Sequence, residues 1–111
     1  RMLKCRGIYG YYEDGWIDER ARIQVMAGSD GSIEMDLYHP GTINDDQHIM
    51  IDVNGERHTV VTIEEEWTYL QIRTRPYEVV TLDIRTDFYV PDAQEQRGER
   101  RLAAVLTLRA D

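Results

Sequence analysis

The sequence predicts an all-β fold: a two-sheet antiparallel β-sandwich of jelly-roll type, with seven to eight strands. Three observations predict it. Apolar residues recur at every second position in seven separate runs, which gives each run one buried and one wet face. Asp30-Gly31 and Asn54-Gly55 are two-residue hairpin signals, because Asn, Asp and Gly tolerate the positive φ such turns need. No segment carries a 3.6-residue apolar stripe; the best helical case, 93–102, is polar and holds Gly98.

Taken in order, Ile8 to Tyr12 reads as an extended stretch, with Tyr9 and Tyr11 on one face and Ile8, Gly10 and Tyr12 on the other. Asp14-Gly15 is a tight turn that sets Trp16 at the head of the next strand. Ala21, Ile23, Val25 and Ala27 alternate with Arg22, Gln24 and Met26, then Ile33, Met35 and Leu37 with Glu34 and Asp36. Asp30-Gly31 is expected to pair these two runs, near 21–28 and 33–38, as a hairpin. Pro40-Gly41 and Asn44-Asp45-Asp46 make a longer crossing. Ile49, Ile51 and Val53 flank Met50 and Asp52, Val61 and Ile63 flank Thr62, and Asn54-Gly55 is expected to pair 48–53 with 56–63 as a hairpin. Leu70 and Ile72 alternate with Tyr69, Gln71 and Arg73; Val80, Leu82 and Ile84 alternate with Thr81, Asp83 and Arg85. Leu102, Ala104, Leu106 and Leu108 close the series.

The chain of 111 residues fits one domain, 1–111, with one core. Arg1-Met2-Leu3 places an arginine before a methionine, as in a piece of a larger protein. A formal charge of −8, from 21 acids against 13 bases, argues against a nucleic-acid or anionic-membrane partner. The longest aliphatic run, Leu102 to Leu106, is far short of a membrane span. No secretory leader pattern is present, so a cytoplasmic location is expected. Cys5 is the sole cysteine, which excludes an internal disulfide; it reads as a small, inert, partly buried residue.

Catalytic signatures are missing. Gly28-Ser29-Asp30-Gly31-Ser32 lacks the spacing of a nucleophile elbow, and no His-Glu-x-x-His, phosphate loop or dinucleotide fingerprint occurs. His39, His48 and His58 are too widely spaced for a local metal motif. His39 reads as a turn histidine, and His48 and His58 as a cross-strand surface pair. Glu64-Glu65-Glu66 reads as a solvated turn rather than half of a glycosidase acid pair. Asn44, Asp45, Asp46 and Asp52 are the residues weighed for calcium; their spacing does not match the twelve-residue loop, and no metal or other cofactor is expected.

What remains is aromatic. Tyr9, Tyr11, Tyr12 and Trp16 crowd beside Glu13, Asp14 and Asp18. Such rings either cap the open end of a core or stack on the apolar face of a sugar, with carboxylates and arginines bonding its hydroxyls. The segments "GIYGYYEDGWI" with "ARIQV", "DLYHPG", "IMIDVNGE" and "DFYVPDAQEQRGERRLAAVL" resemble a β-sandwich accessory domain found beside bacterial glycosyltransferases of cell-surface polysaccharide synthesis. The likeness spans nearly the whole chain. It departs in the polar loop, where this chain has Glu99 in place of an aspartate. The resemblance implies a sandwich like that of carbohydrate-binding modules and no catalytic unit.

The expectation is therefore a non-catalytic module that binds carbohydrate or assists a neighbouring glycosyltransferase domain. Tyr9, Tyr11, Tyr12 and Trp16 are its candidate stacking groups, with Asp14 and Arg100 as polar partners. Arg100 or Arg101 is also expected to pair with Asp14, Asp87 or Asp92. The alternative is a structural or protein-interaction module, its aromatic patch docked on a neighbouring domain or on a second copy in a homo-oligomer.

Overall fold

A computed structural model describes residues 5–39, 46–62, 65–87, 90–91 and 101–110. Ten strands occur among them: β1 (Cys5–Tyr11), β2 (Trp16–Met26), β3 (Ser32–Tyr38), β4 (Gln47–Val53), β5 (Glu56–Thr62), β6 (Trp67–Arg73), β7 (Val79–Thr86), β8 (Val90–Pro91), β9 (Arg101–Leu102) and β10 (Ala104–Arg109). Eight form one antiparallel sheet in the order β5-β4-β7-β2-β10-β3-β6, with β1 added to β2; β8 and β9 make a separate short pair. The ends of this path, β5 and β6, are consecutive in the chain, so the sheet curls into a nearly closed barrel. Alternation along a strand reports only which side is buried. It is silent on whether a sheet curls around its core or stacks on a second one, and here the hydrogen bonding of the eight strands runs through one sheet.

The inward faces follow the alternation except in β5. There Thr62 is buried and Val61 is 46% exposed, the reverse of the phase read from Val61 and Ile63, because register with β4 turns Val60 and Thr62 to the core. Ile17, Ile23, Ile33, Met35, Leu37, Ile49, Ile51, Leu82 and Leu106 are essentially inaccessible to solvent and form the core. Removing a branched aliphatic side chain of this size from water stabilises by about 1.5–3 kcal/mol, so this inner face supplies most of the drive to fold.

The Asn54-Gly55 hairpin forms as expected. Val53 opposes Glu56, and both turn residues have positive φ, 49° and 91°, the mirror-image geometry that matches strand twist. The Asp30-Gly31 hairpin does not form a β2–β3 pair. β3 bonds to β10 and β6 instead, and β10 separates it from β2. The 27–31 turn is stitched to the β6–β7 connection: Thr74 N donates to Gly31 O (2.7 Å), Tyr77 N to Gly28 O (3.1 Å) and Ala27 N to Glu78 O (2.8 Å). A turn signal fixes a chain reversal; which strand then bonds to which is decided by partners far away in sequence. Asp30 holds the turn, its carboxylate accepting the Ser32 backbone N–H at 3.0 Å and the Ser32 hydroxyl at 2.8 Å. Those bonds hold the Asp30 carboxyl below its ordinary range.

β2 and β1 are joined irregularly. Gly7 opposes Ile23, Tyr9 opposes Arg22, and Tyr11 opposes Ile17, so two residues of β1 span five of β2 between the last two pairs. Gly10, at φ 73°, lies against the bulged β2 backbone, where a Cβ would overlap the Arg20 carbonyl oxygen.

Gly10→Ala is expected to destabilise the fold by at least ~2 kcal/mol, from left-handed backbone strain before any overlap is counted. Thermal melting should show it as a drop of roughly 10 °C. Asp30→Ala removes a carboxylate whose folded pKa is depressed. The parent's Asp30 contribution is present above the ordinary carboxylate pKa and lost as pH falls through the lower folded value, so the two proteins should differ in melting temperature at neutral pH and converge in acid.

Candidate functional site

Outward-facing side chains divide into two surfaces because the barrel has two groups of neighbouring strands. On the first, cross-strand register lines up one row: Trp16 opposes Val105, Val105 opposes Tyr38, and Tyr38 opposes Trp67. Directly opposed residues share a face, so the row crosses β2, β10, β3 and β6 on the solvent side. Three strand spacings make it about 14 Å long. Tyr12 extends it. Its backbone N–H donates to Trp16 O at 2.9 Å, and its hydroxyl reaches Asp18 Oδ2 at 3.1 Å.

Trp67 is 57% exposed, too open to be core. Its ring is tilted 46° to that of Tyr38, centroids 5.2 Å apart, a favourable aromatic arrangement that holds both in place. The next row is Thr107, Asp36 and Tyr69, and the one after it Arg109, Glu34 and Gln71. Here the polar groups are already organised. Tyr69 donates its hydroxyl to Glu34 Oε1 at 3.0 Å, and the Arg109 guanidinium bonds Asp36 Oδ2 at 2.9 Å. Desolvation, followed by the Glu34 carboxylate, pushes the Tyr69 phenol above its ordinary pKa. Flat, exposed rings beside carboxylates and a guanidinium suit a ligand with an apolar face and a hydroxylated rim.

Of the residues singled out from sequence, Trp16 and Tyr12 belong to this surface; Tyr9 and Tyr11 do not. The bulge separates Tyr9 from Tyr11 rather than leaving them on one face. Tyr11 packs half-buried on the core and donates its hydroxyl to Leu106 O at 3.2 Å. Tyr9 lies outside, 48% exposed, with the Arg22 guanidinium 5.7 Å from its ring centre. Asp14 acts in the turn, accepting the Trp16 N–H at 3.3 Å. Arg100, Asp92 and the Arg101 side chain lie outside the described residues, as do Glu64, Asn44 and Asp45. Asp87 is bonded to His48, at 3.1 Å from the backbone N–H and 3.0 Å from Nδ1.

The histidine expectations change. His39 is fully buried, its N–H directed to Glu66 O at 3.4 Å, and not a turn residue on the surface. His48 and His58 are not opposed: His48 faces Val61 and His58 faces Ile51, on opposite sides of the hairpin. The odd number of positions between each histidine and its supposed partner decides this, since strand faces alternate. Cys5 is exposed. Asp52 is held by Arg57 at 3.0 Å, and among the described residues no group of three His, Cys, Asp or Glu could hold a metal ion.

Sequence reading missed Trp67, Tyr69 and Tyr38. The signal was present: Trp67 continues the outward phase of Tyr69, Gln71 and Arg73, which alternates with Leu70 and Ile72. Their assembly with Trp16, however, depends on β10 lying between β2 and β3.

No protein-family model, curated protein or solved structure matches this chain. No helix among the described residues is long and apolar enough to cross a membrane.

Glu34→Gln should lower the Tyr69 titration midpoint while leaving it above the ordinary phenol range, since desolvation remains. Ring-carbon NMR shifts followed through alkaline pH check this. The raised phenol also predicts a stability contribution that is intact below the unfolded pKa and lost as pH rises through the folded one.

Proposed function

We propose that this domain is a non-catalytic carbohydrate-binding module, with the row Trp16, Tyr38 and Trp67 as its stacking platform and Tyr69 beside it. The single observation that carries this reading is the exposure of Trp67 at 57%, opposed to Tyr38 in a row that also holds Trp16 and Val105. A protein leaves such rings in water at a cost, and a sugar's apolar face recovers it. Asp36 in the next row, and Glu34 and Arg109 in the row after it, supply acceptors and donors for ring hydroxyls.

The sequence likeness to accessory domains beside glycosyltransferases supports a place next to such an enzyme, with polysaccharide as ligand. The finer architecture, a jelly-roll-like sandwich of two layers, belongs to the same proposal: it describes the barrel as flattened, with the aromatic row on one broad face. Arg100 stays within the proposal as a polar partner; Tyr9 and Tyr11 do not join the platform.

The platform is tested by titrating bacterial polysaccharides and simple sugars while following tryptophan fluorescence and amide shifts. Saturable shifts centred on 16, 36–38, 67–69 and 105–107 are expected, with Trp67→Ala weakening binding about tenfold, or ~1.4 kcal/mol. Silence at millimolar sugar, with the same residues broadened as protein concentration rises, would instead identify the patch as a contact between copies or domains.

A further inference from the structure

The second outward surface, across β1, β2, β7, β4 and β5, has a different chemistry. Register places Tyr9, Arg22, Asp83, Asp52 and Arg57 in one cross-strand row. Within it the charges are paired off: Arg22 Nε lies 2.6 Å from Asp83 Oδ1, and Arg57 Nε 3.0 Å from Asp52 Oδ1. The adjacent row sets Arg20 directly opposite Arg85, with Met50 next to Arg85. Neither arginine makes an ion pair with an acid among the described residues. The two rows line a groove of about 260 Å³. Four arginines against two aspartates give it a charge of +2, in a chain whose formal charge is −8.

Two guanidiniums facing each other across neighbouring strands repel. Their Cβ atoms stand about 4.5–5.5 Å apart, which lets both forks converge on one ligand. A guanidinium presents several N–H donors in a plane and matches the oxygens of a tetrahedral oxyanion. We propose that Arg20 and Arg85 form a binding site for the phosphoryl group of a small phosphorylated molecule. Arg22 and Arg57, paired with Asp83 and Asp52, frame the site with fixed donors, and Asp52 also lies within electrostatic reach of Arg85. Tyr9, half-exposed at the rim and held under Arg22, offers its ring to the organic part of the ligand. The volume is below that of an ordinary cofactor pocket and fits a phosphate with one attached ring in part. This site lies on other strands from the aromatic row and does not depend on that row binding sugar.

The experiment is a titration with inorganic phosphate, and separately with glucose 1-phosphate, at constant ionic strength, read by amide and arginine side-chain NMR shifts. Saturable shifts at Arg20, Arg85, Tyr9 and Met50 are expected. Arg20→Gln and Arg85→Gln should each weaken inorganic phosphate binding at least tenfold. The melting temperature of each arginine variant without ligand, set against that of the parent, separates loss of binding from unfolding. Tighter binding of glucose 1-phosphate than of phosphate would support a ring contact at Tyr9, while equal binding would reduce the site to a phosphate cradle within the same proposal. Shifts spread over the whole surface, or of equal size in the variants, would overturn it.

Discussion

The register of β2 is the constraint on which the rest of the structure depends. Its eleven residues bond to β1, β7 and β10, and no other strand among the described residues has three partners. Because strand side chains alternate, this one register puts Ile17, Ala21, Ile23 and Val25 in the core. It also puts Trp16 at the start of the outer face and Arg20 and Arg22 at its middle. A slip of one residue would bury arginines and expose the isoleucines. The core therefore enforces the position of both outer surfaces, although neither contributes much to it.

The bulge against β1 is the second consequence of that strand. β2 is long enough to change partners, from β10 at Trp16 and Ile17 to β7 from Arg20 onward. The change coincides with the unmatched 18–21 segment opposite Gly10. A flat ladder could not serve both neighbours; the extra backbone turns the strand. The same irregularity separates Tyr9 from Tyr11, which assigns one ring to the charged groove and the other to the core.

Buried polar groups at the inner end of the barrel show how far the fold is specified. Gln47 is inaccessible and donates through Nε2 to Ala103 O at 2.7 Å, while the Thr62 hydroxyl lies 3.3 Å from Gln47 Oε1. A buried amide without partners would cost about 1–3 kcal/mol, so these bonds tie β4, β5 and the segment before β10 into one arrangement. The polar character of Gln47 and Thr62 gave no hint of this in sequence, where both stand at strand ends.

The amino-acid sequence by itself determined most of the longer strands and, β5 apart, which of their faces are buried, because alternation is a local property set by backbone geometry. It determined the Asn54-Gly55 hairpin for the same reason: the turn chemistry and the paired strands are adjacent. The phase carrying Trp67 and Tyr69 was also legible as outward-facing. Only the tertiary structure decided that β10 lies between β2 and β3, and with it the alignment of Trp16, Tyr38 and Trp67. It alone opposed Arg20 to Arg85, buried His39, and divided the tyrosines at Gly10. Each of these rests on register between strands distant in the chain, and register is fixed by the packing of the whole core.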